Sequence, residues 1–130
     1  MNLDVMKNQY KGTTLGKLIK DHIEKQSADA IRRAMVGTWD TFDLATRPEI
    51  DRLTGSLAEF VFAKKKIHED LGDVFSGLIE IITNQLSVKG IRLTPSQTFD
   101  VFNIIVLLLA HAAATQPEIK KKLGIKTGWF

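Results

Sequence analysis

The chain has 130 residues, of which 44% are hydrophobic and 25% are charged, with no cysteine and a formal net charge of +3. This composition is that of a globular domain, and it excludes disulfides, cysteine-based metal sites and thiol nucleophiles. A chain of this length can enclose one hydrophobic core, so we expect a single domain spanning residues 1–130.

The N-terminal third of the sequence predicts an arm followed by helix. Residues 1–12 are polar apart from a few apolar anchors, and we interpret them as an N-terminal arm that ends at Gly12. In the next segment apolar residues recur at every third or fourth position, which is the period of an amphipathic helix. The segment 14–36 is either one helix or two helices, with Ser27 as the N-cap of the second.

The longest stretch without helical periodicity covers residues 37–47. It combines acidic residues with Trp39 and Phe42, and we predict an acidic aromatic loop. Pro48 follows this stretch, and proline is a residue type that is favoured at the first position of a helix. The next helix is therefore expected to begin there.

An apolar stripe with helical spacing follows the loop. Taken literally, residues 48–88 form one helix, but the usual helix length of about 12 residues favours two helices with a break near 68–72. Both interpretations stay open at this point. Three glycines fall within the stripe and are expected to allow close helix packing: Gly55, Gly72 and Gly77.

The best-marked helix covers about residues 95–115. Thr94 and Gln97 fit a capping box around Pro95, and the residues from Phe99 to Ala114 are almost all apolar. A helix that is apolar on every side must be surrounded by others. We therefore predict an all-α, single helical-bundle domain of five or six helices around this central helix. We also predict a homodimer or larger homo-oligomer, in which a second copy covers remaining apolar surface.

The sequence contains none of the patterns that mark common catalytic, cofactor or metal sites. A nucleophile elbow, a serine placed near a histidine and a phosphate-binding glycine loop are all missing. The densest group of ligand-type residues is His68, Glu69, Asp70 and Asp73, but adjacent helical side chains diverge by about 100°. We predict no enzymatic activity, no catalytic residues, no cofactor and no metal, and we interpret His111 as a helix-end residue.

Four aromatic residues outside the helical stripes are candidates for contact with another protein. They stand in the 37–47 loop and at the end of the chain: Trp39, Phe42, Trp129 and Phe130. Tryptophan is enriched at binding hot spots, so these side chains are suited to anchor a partner. The alternative is that they fold back and close the ends of the bundle.

Two basic runs support a second interpretation, association with nucleic acid. They are residues 64–66 and the basic C-terminal helix and tail over 117–130: Lys64, Lys65, Lys66, Lys120, Lys121, Lys122 and Lys126. If both runs lie on one face, they can contact several phosphates. Residues 115–125 resemble the first helix and turn of bacterial helix-turn-helix motifs. Because no recognition helix follows them, we interpret this segment as a capped basic helix.

Taken together, these patterns predict a non-enzymatic protein-interaction module, such as an adaptor, regulator, inhibitor or assembly subunit. Its contacts are expected through a helical face and the aromatic loop. A nucleic-acid-associated accessory protein is the alternative. No apolar stretch has the length of a signal peptide or of a membrane span, so we expect a cytoplasmic protein that does not associate with a membrane.

Overall fold

The computed structural model describes residues 2–124, which form an all-α, single-domain helical bundle. Seven α-helices and one 3₁₀ turn account for the regular structure in this range. They are α1 (Leu3–Tyr10), α2 (Leu15–Lys25), α3 (Ala28–Trp39), α4 (Arg47–Ala63), the 3₁₀ turn Lys66–His68, α5 (Leu71–Val88), α6 (Pro95–Thr115) and α7 (Pro117–Lys122). The predicted fold class is confirmed, with more helices than the five or six expected.

The additional helix is α1, at the position where the sequence predicted an arm. Asn2 caps it through a hydrogen bond from the Asp4 N–H. The helix lies against α5, and the ring of Tyr10 packs 5.4 Å from Phe75 and 5.9 Å from Phe102. Leu3, Met6 and Tyr10 are spaced by three and four positions and pack against the core, so a short helical signal was present that the prediction of an arm missed.

Both open questions about helix length are resolved in favour of two helices. The Ala30 N–H donates to Ser27 Oγ at 3.1 Å, so α3 starts with its own cap. The stripe over 48–88 is interrupted after Ala63, where Lys65 adopts a left-handed conformation with φ +53°. Asp70 then caps α5. The apolar phase continues through this break because the 3₁₀ turn itself buries Ile67.

The central position predicted for residues 95–115 is confirmed. The capping box is present, with the Gln97 N–H donating to Thr94 Oγ1 at 3.1 Å and the Thr94 N–H donating to Gln97 Oε1 at 3.0 Å. Helix α6 packs against α2, α3, α4, α5 and α7. Four consecutive residues, 104–107, are buried and point to every side of the helix. Neighbouring helices of the same chain therefore cover most of the apolar surface of α6.

Contrary to the expectation from the sequence, α6 is by length and composition one helix within residues 2–124 that is long and apolar enough to cross a membrane. More than half of that window, 56%, is buried by the other helices. The core helix of a helical bundle has the same length and composition. This property of α6 is therefore explained by its central place in the fold.

The segment 37–47 is shorter as a loop than the sequence predicted. Helix α3 continues through Trp39, and only residues 40–46, which we call the α3–α4 corner, lie outside helices. Thr38 is tolerated inside the helix because its Oγ1 donates back to the Ala34 carbonyl at 2.9 Å. Glycine and threonine at positions 37 and 38 had suggested that the helix ends earlier.

Candidate interaction surfaces

The α3–α4 corner is held in place by one arginine. Arg47 Nε donates to the Phe42 carbonyl at 2.9 Å, and Arg47 Nη2 donates to the Asp40 carbonyl at 2.7 Å. The same guanidinium lies over the Trp39 ring, 5.1 Å from its centroid, a cation–π contact. These contacts fix the backbone of the corner, so a partner would meet a preformed shape.

The two aromatic side chains near the corner differ in exposure. Phe42 is only 2% exposed and belongs to the core, so its ring is not offered to a partner. Trp39 is half-buried and lines a small cavity of about 220 Å³ between α3, α4 and α6, together with Met35 and Val36. Its indole Nε1 is buried and has no hydrogen-bond partner within residues 2–124. Leu44, at 76% exposure, is the one exposed large apolar side chain of the corner.

The predicted contact residues Trp129 and Phe130, and the basic residue Lys126, lie outside the described residues. Their proposed roles stay predictions. The remaining candidates of both sets are described, and the two sets occupy different parts of the bundle.

A larger apolar groove runs between α4 and α5. Its volume is about 490 Å³, and its floor is formed by Leu53, Leu57 and Phe60 from α4 with Ile81 and Leu86 from α5. The rim is polar and is made by the following residues: Glu49, Arg52, Gln85 and Lys89. Apolar floors with polar rims are typical of protein-binding surfaces.

Phe60 is the most telling residue of this groove because it is 38% exposed although it is a large aromatic side chain. The helices α4 and α5 contact each other less than either contacts α6, so their outer faces are left apart. Glu49 and Arg52 form an ion pair at 3.2 Å on one rim. The groove is therefore an open apolar surface with a fixed polar edge, which the stripe pattern alone did not distinguish from core.

The two predicted basic runs come together at one end of the bundle. Gly124, two residues after Lys122, lies against His68, two residues after Lys66. A Cβ atom added to Gly124 would be 3.1 Å from His68 Cε1. Gly124 has a φ of +72°, which favours glycine, and a side chain at this position would also be crowded by His68.

A cavity of about 590 Å³ opens at this end, and α2 contributes two further lysines to it. Lys17 and Lys20 line it together with the carboxylates of Asp21 and Glu24 and with Ile67, His68 and Leu123. Lys17 and Lys20 were not predicted to lie with the basic runs. Their spacing of three residues places both lysines on one face of α2, which the sequence shows. It does not show that this face lies opposite the two basic runs.

The titratable groups of the described residues do not gather into a metal-binding set. No group of three or more histidine or carboxylate residues able to hold an ion occurs in residues 2–124. In the densest predicted group, Asp70 is instead a structural cap. Its Oδ2 accepts the Gly12 N–H at 2.8 Å and its Oδ1 accepts the Gly72 N–H at 2.9 Å, and these bonds, led by the one from Gly12, hold the Asp70 pKa below 3.8.

Two other carboxylate and imidazole groups have pKa values shifted by burial alone or mainly by burial. Burial raises the pKa of Asp100 on α6, and it lowers the pKa of His22 on α2. Neither group lies in the α4–α5 groove or in the cavity at the basic end. These shifts reflect packing positions, and they do not mark a reactive pair.

Comparison of the chain with protein-family models, with curated proteins and with solved structures found no match, so the interpretation of its surfaces rests on their own geometry and chemistry.

Proposed function

We propose that this protein is a non-enzymatic protein-interaction module that binds an amphipathic helix in the α4–α5 groove. The observation that carries the proposal is the open apolar floor of that groove, above all the partly exposed ring of Phe60. A module of this kind acts as an adaptor, regulator, inhibitor or assembly subunit. The corner with Leu44 and Trp39 supplies a second, smaller apolar contact.

The row of apolar residues on the floor of the groove favours a helix over an extended peptide as the occupant. Helix-in-groove binding places apolar side chains of the guest at i, i+3 or i+4, and i+7 into a hydrophobic trough between two host helices. The floor residues Leu53, Leu57 and Phe60 are spaced by four and three positions along α4, so they present one continuous row. An extended strand would need an open sheet edge, and the described residues form no sheet.

The rim suits a guest helix with both charges. Lys89 and Gln85 stand on the α5 side, and the paired Glu49 and Arg52 stand on the α4 side. Such rim contacts steer a partner and fix its orientation, while the apolar floor supplies the affinity. The guest helix belongs either to another protein or to a second copy of this chain, and we keep the predicted homo-oligomer as part of the proposal.

The test compares Phe60→Glu with Val88→Glu. Val88 is 82% exposed and does not line the groove, so the second variant places the same charge on a surface that the proposal does not use. Sedimentation velocity shows whether the wild-type chain associates with itself. Quantitative capture from the native host's lysate, after nuclease treatment and at high salt, shows whether another protein binds.

The expected result is that Phe60→Glu abolishes the association seen with the wild type, whichever partner it involves, while Val88→Glu leaves it unchanged. Circular dichroism verifies that both variants keep their helix content. Wild-type protein that is monomeric and captures nothing would contradict the proposal. So would binding that survives both Phe60→Glu and Leu53→Glu.

A further inference from the structure

A second surface of the molecule, separate from the α4–α5 groove, collects positive charge. We define the basic end as the residues that surround the 590 Å³ cavity and the two lysine runs beside it. Its cationic members are Lys17, Lys20, Lys64, Lys65, Lys66, Lys120, Lys121 and Lys122. They come from three separate parts of the chain that meet where Gly124 touches His68.

The basic end carries an excess of charge that the rest of the chain lacks. Its eight lysines face four carboxylates, those of Asp21, Glu24, Glu69 and Glu118, which leaves a surplus larger than the +3 of the whole chain. Only two of the lysines form ion pairs within residues 2–124, Lys20 with Glu24 at 3.7 Å and Lys66 with Glu69 at 3.2 Å. The molecule outside the basic end is therefore slightly acidic.

Most of these ammonium groups are accessible. Lys17, Lys64, Lys65, Lys121 and Lys122 are exposed. Several free cations on one surface are suited to a ligand that repeats its negative charge at short intervals, because each phosphate neutralised releases counterions. A nucleic-acid backbone has that property.

The surroundings of these lysines favour nucleic acid over an anionic membrane. Proteins that bind a membrane surface bury apolar side chains beside their basic residues. The exposed large apolar residues of the described chain, Val5, Val36, Leu44, Phe60 and Val88, do not line this cavity. The lining contains no phenylalanine, tyrosine or tryptophan on which bases could stack, so we expect contacts to the backbone and not to unpaired bases.

From this combination we infer that the basic end binds the phosphate backbone of nucleic acid without sequence preference. Exposed lysines and backbone contacts position a protein on nucleic acid but read no bases. The inference does not depend on the proposed function, because the groove and the basic end share no residue. Binding of a protein at one surface and of nucleic acid at the other would make the molecule a connector.

The test uses three triple variants that each remove the same charge from the full chain. The first is Lys120→Ala/Lys121→Ala/Lys122→Ala, in the predicted run. The second is Lys17→Ala/Lys20→Ala/Lys64→Ala, which combines the two lysines of α2 that line the cavity with one lysine of the predicted run 64–66. The matched control, Arg32→Ala/Arg33→Ala/Arg92→Ala, changes exposed cations that belong neither to the basic end nor to the α4–α5 groove.

Binding of a fluorescent DNA duplex, and of an RNA duplex, is measured by anisotropy over a series of salt concentrations. Because each phosphate contact contributes about 0.9 to the slope of log affinity against log salt, either basic-end variant is expected to reduce the slope by up to about 2.7 and to weaken binding at low salt by roughly tenfold or more. The control variant is expected to change neither quantity by a comparable amount.

Each other outcome would overturn the inference. Equal weakening by all three variants would show that only net charge matters. If the wild type bound neither duplex at low salt, the inference of nucleic-acid binding would be wrong. Strong dependence of the affinity on duplex sequence would contradict recognition of the backbone. Tighter association with vesicles of phosphatidylserine than with either duplex would assign the surface to a membrane.

Discussion

Replacing Gly72 and Gly77 by alanine, one at a time, tests how closely α1 packs against α5. Both glycines lie on α5, yet their surroundings are opposite. A Cβ atom at position 72 would lie 3.0 Å from the Lys7 carbonyl oxygen of α1, and equally close to Asp70 Oδ1 and Lys11 Cγ. A Cβ atom at position 77 would meet nothing within 4 Å.

These surroundings set the sign and size of each effect. At position 77 alanine only removes the conformational cost of glycine in a helix, so we expect the free energy of unfolding to rise by about 0.5–1 kcal/mol. At position 72 the new methyl group must displace the backbone of α1 or the Asp70 carboxylate. Overpacking of this kind costs about 1–3 kcal/mol, which outweighs the helix gain.

The assay is urea unfolding followed by circular dichroism, with a thermal melt as a second measure. For a domain of this size 1 kcal/mol corresponds to about 4 °C in Tm, so the two variants should move in opposite directions by amounts that are easily resolved. A Gly72→Ala protein as stable as the wild type would refute the close approach of α1 to α5. A Gly77→Ala protein less stable than the wild type would refute the open surroundings at that position.

Three further predictions follow from the core and the caps. Phe102→Ala removes a ring that packs edge-to-face on Phe75 at 4.9 Å, and should cost about 3–5 kcal/mol in urea unfolding, against under about 0.5 kcal/mol for Val88→Ala on the surface. Thr94→Ala breaks the capping box of α6 and should cost about 1 kcal/mol, measured the same way; no loss would contradict the observed cap. The lowered pKa of Asp70 means that its native hydrogen bonds stabilise the fold above pH 3.8, the ordinary value, and that this contribution is lost as the pH falls through the native pKa below it. Asp70→Asn should therefore flatten the pH dependence of the urea midpoint in that acidic range, and an unchanged profile would argue against the cap.

The elements with strong local signals were predictable from the sequence. Thr94 and Gln97 specify the start of α6 by themselves, and the apolar residues of that helix specify its central place. Ser27 marked the start of α3, although its capping role was one of two interpretations. These features depend on residues within one turn of each other, which a single sequence displays directly.

Features that depend on contacts between distant parts of the chain were not predictable. The expectation that glycines allow close packing is confirmed for Gly72 and is wrong for Gly55 and Gly77, which have no neighbour within 4 Å. Gly72 and Gly77 lie five positions apart on α5 and so point about 140° away from each other. Gly72 faces α1, which is more than sixty residues away in the chain.

The candidate surfaces show the same division. The lysine runs are visible in the sequence, but their meeting point at His68 and Gly124 depends on how α7 folds back. Phe42 illustrates the reverse case, because an aromatic residue beside acidic ones was a candidate for contact with a partner, while in the structure its side chain is 2% exposed and belongs to the core. Side-chain type indicates what a residue can do, and tertiary contacts decide whether it is accessible.

The enclosure of α6 has a consequence for biosynthesis. Helices α2, α3, α4 and α5 all precede α6 in the chain, and each of them buries apolar side chains against it. While the protein is being translated, those side chains lack their contacts with α6 until residues 95–115 have left the ribosome. The nascent chain therefore exposes the α6-facing apolar surfaces of four helices up to that point, and such exposed surface is what chaperones bind.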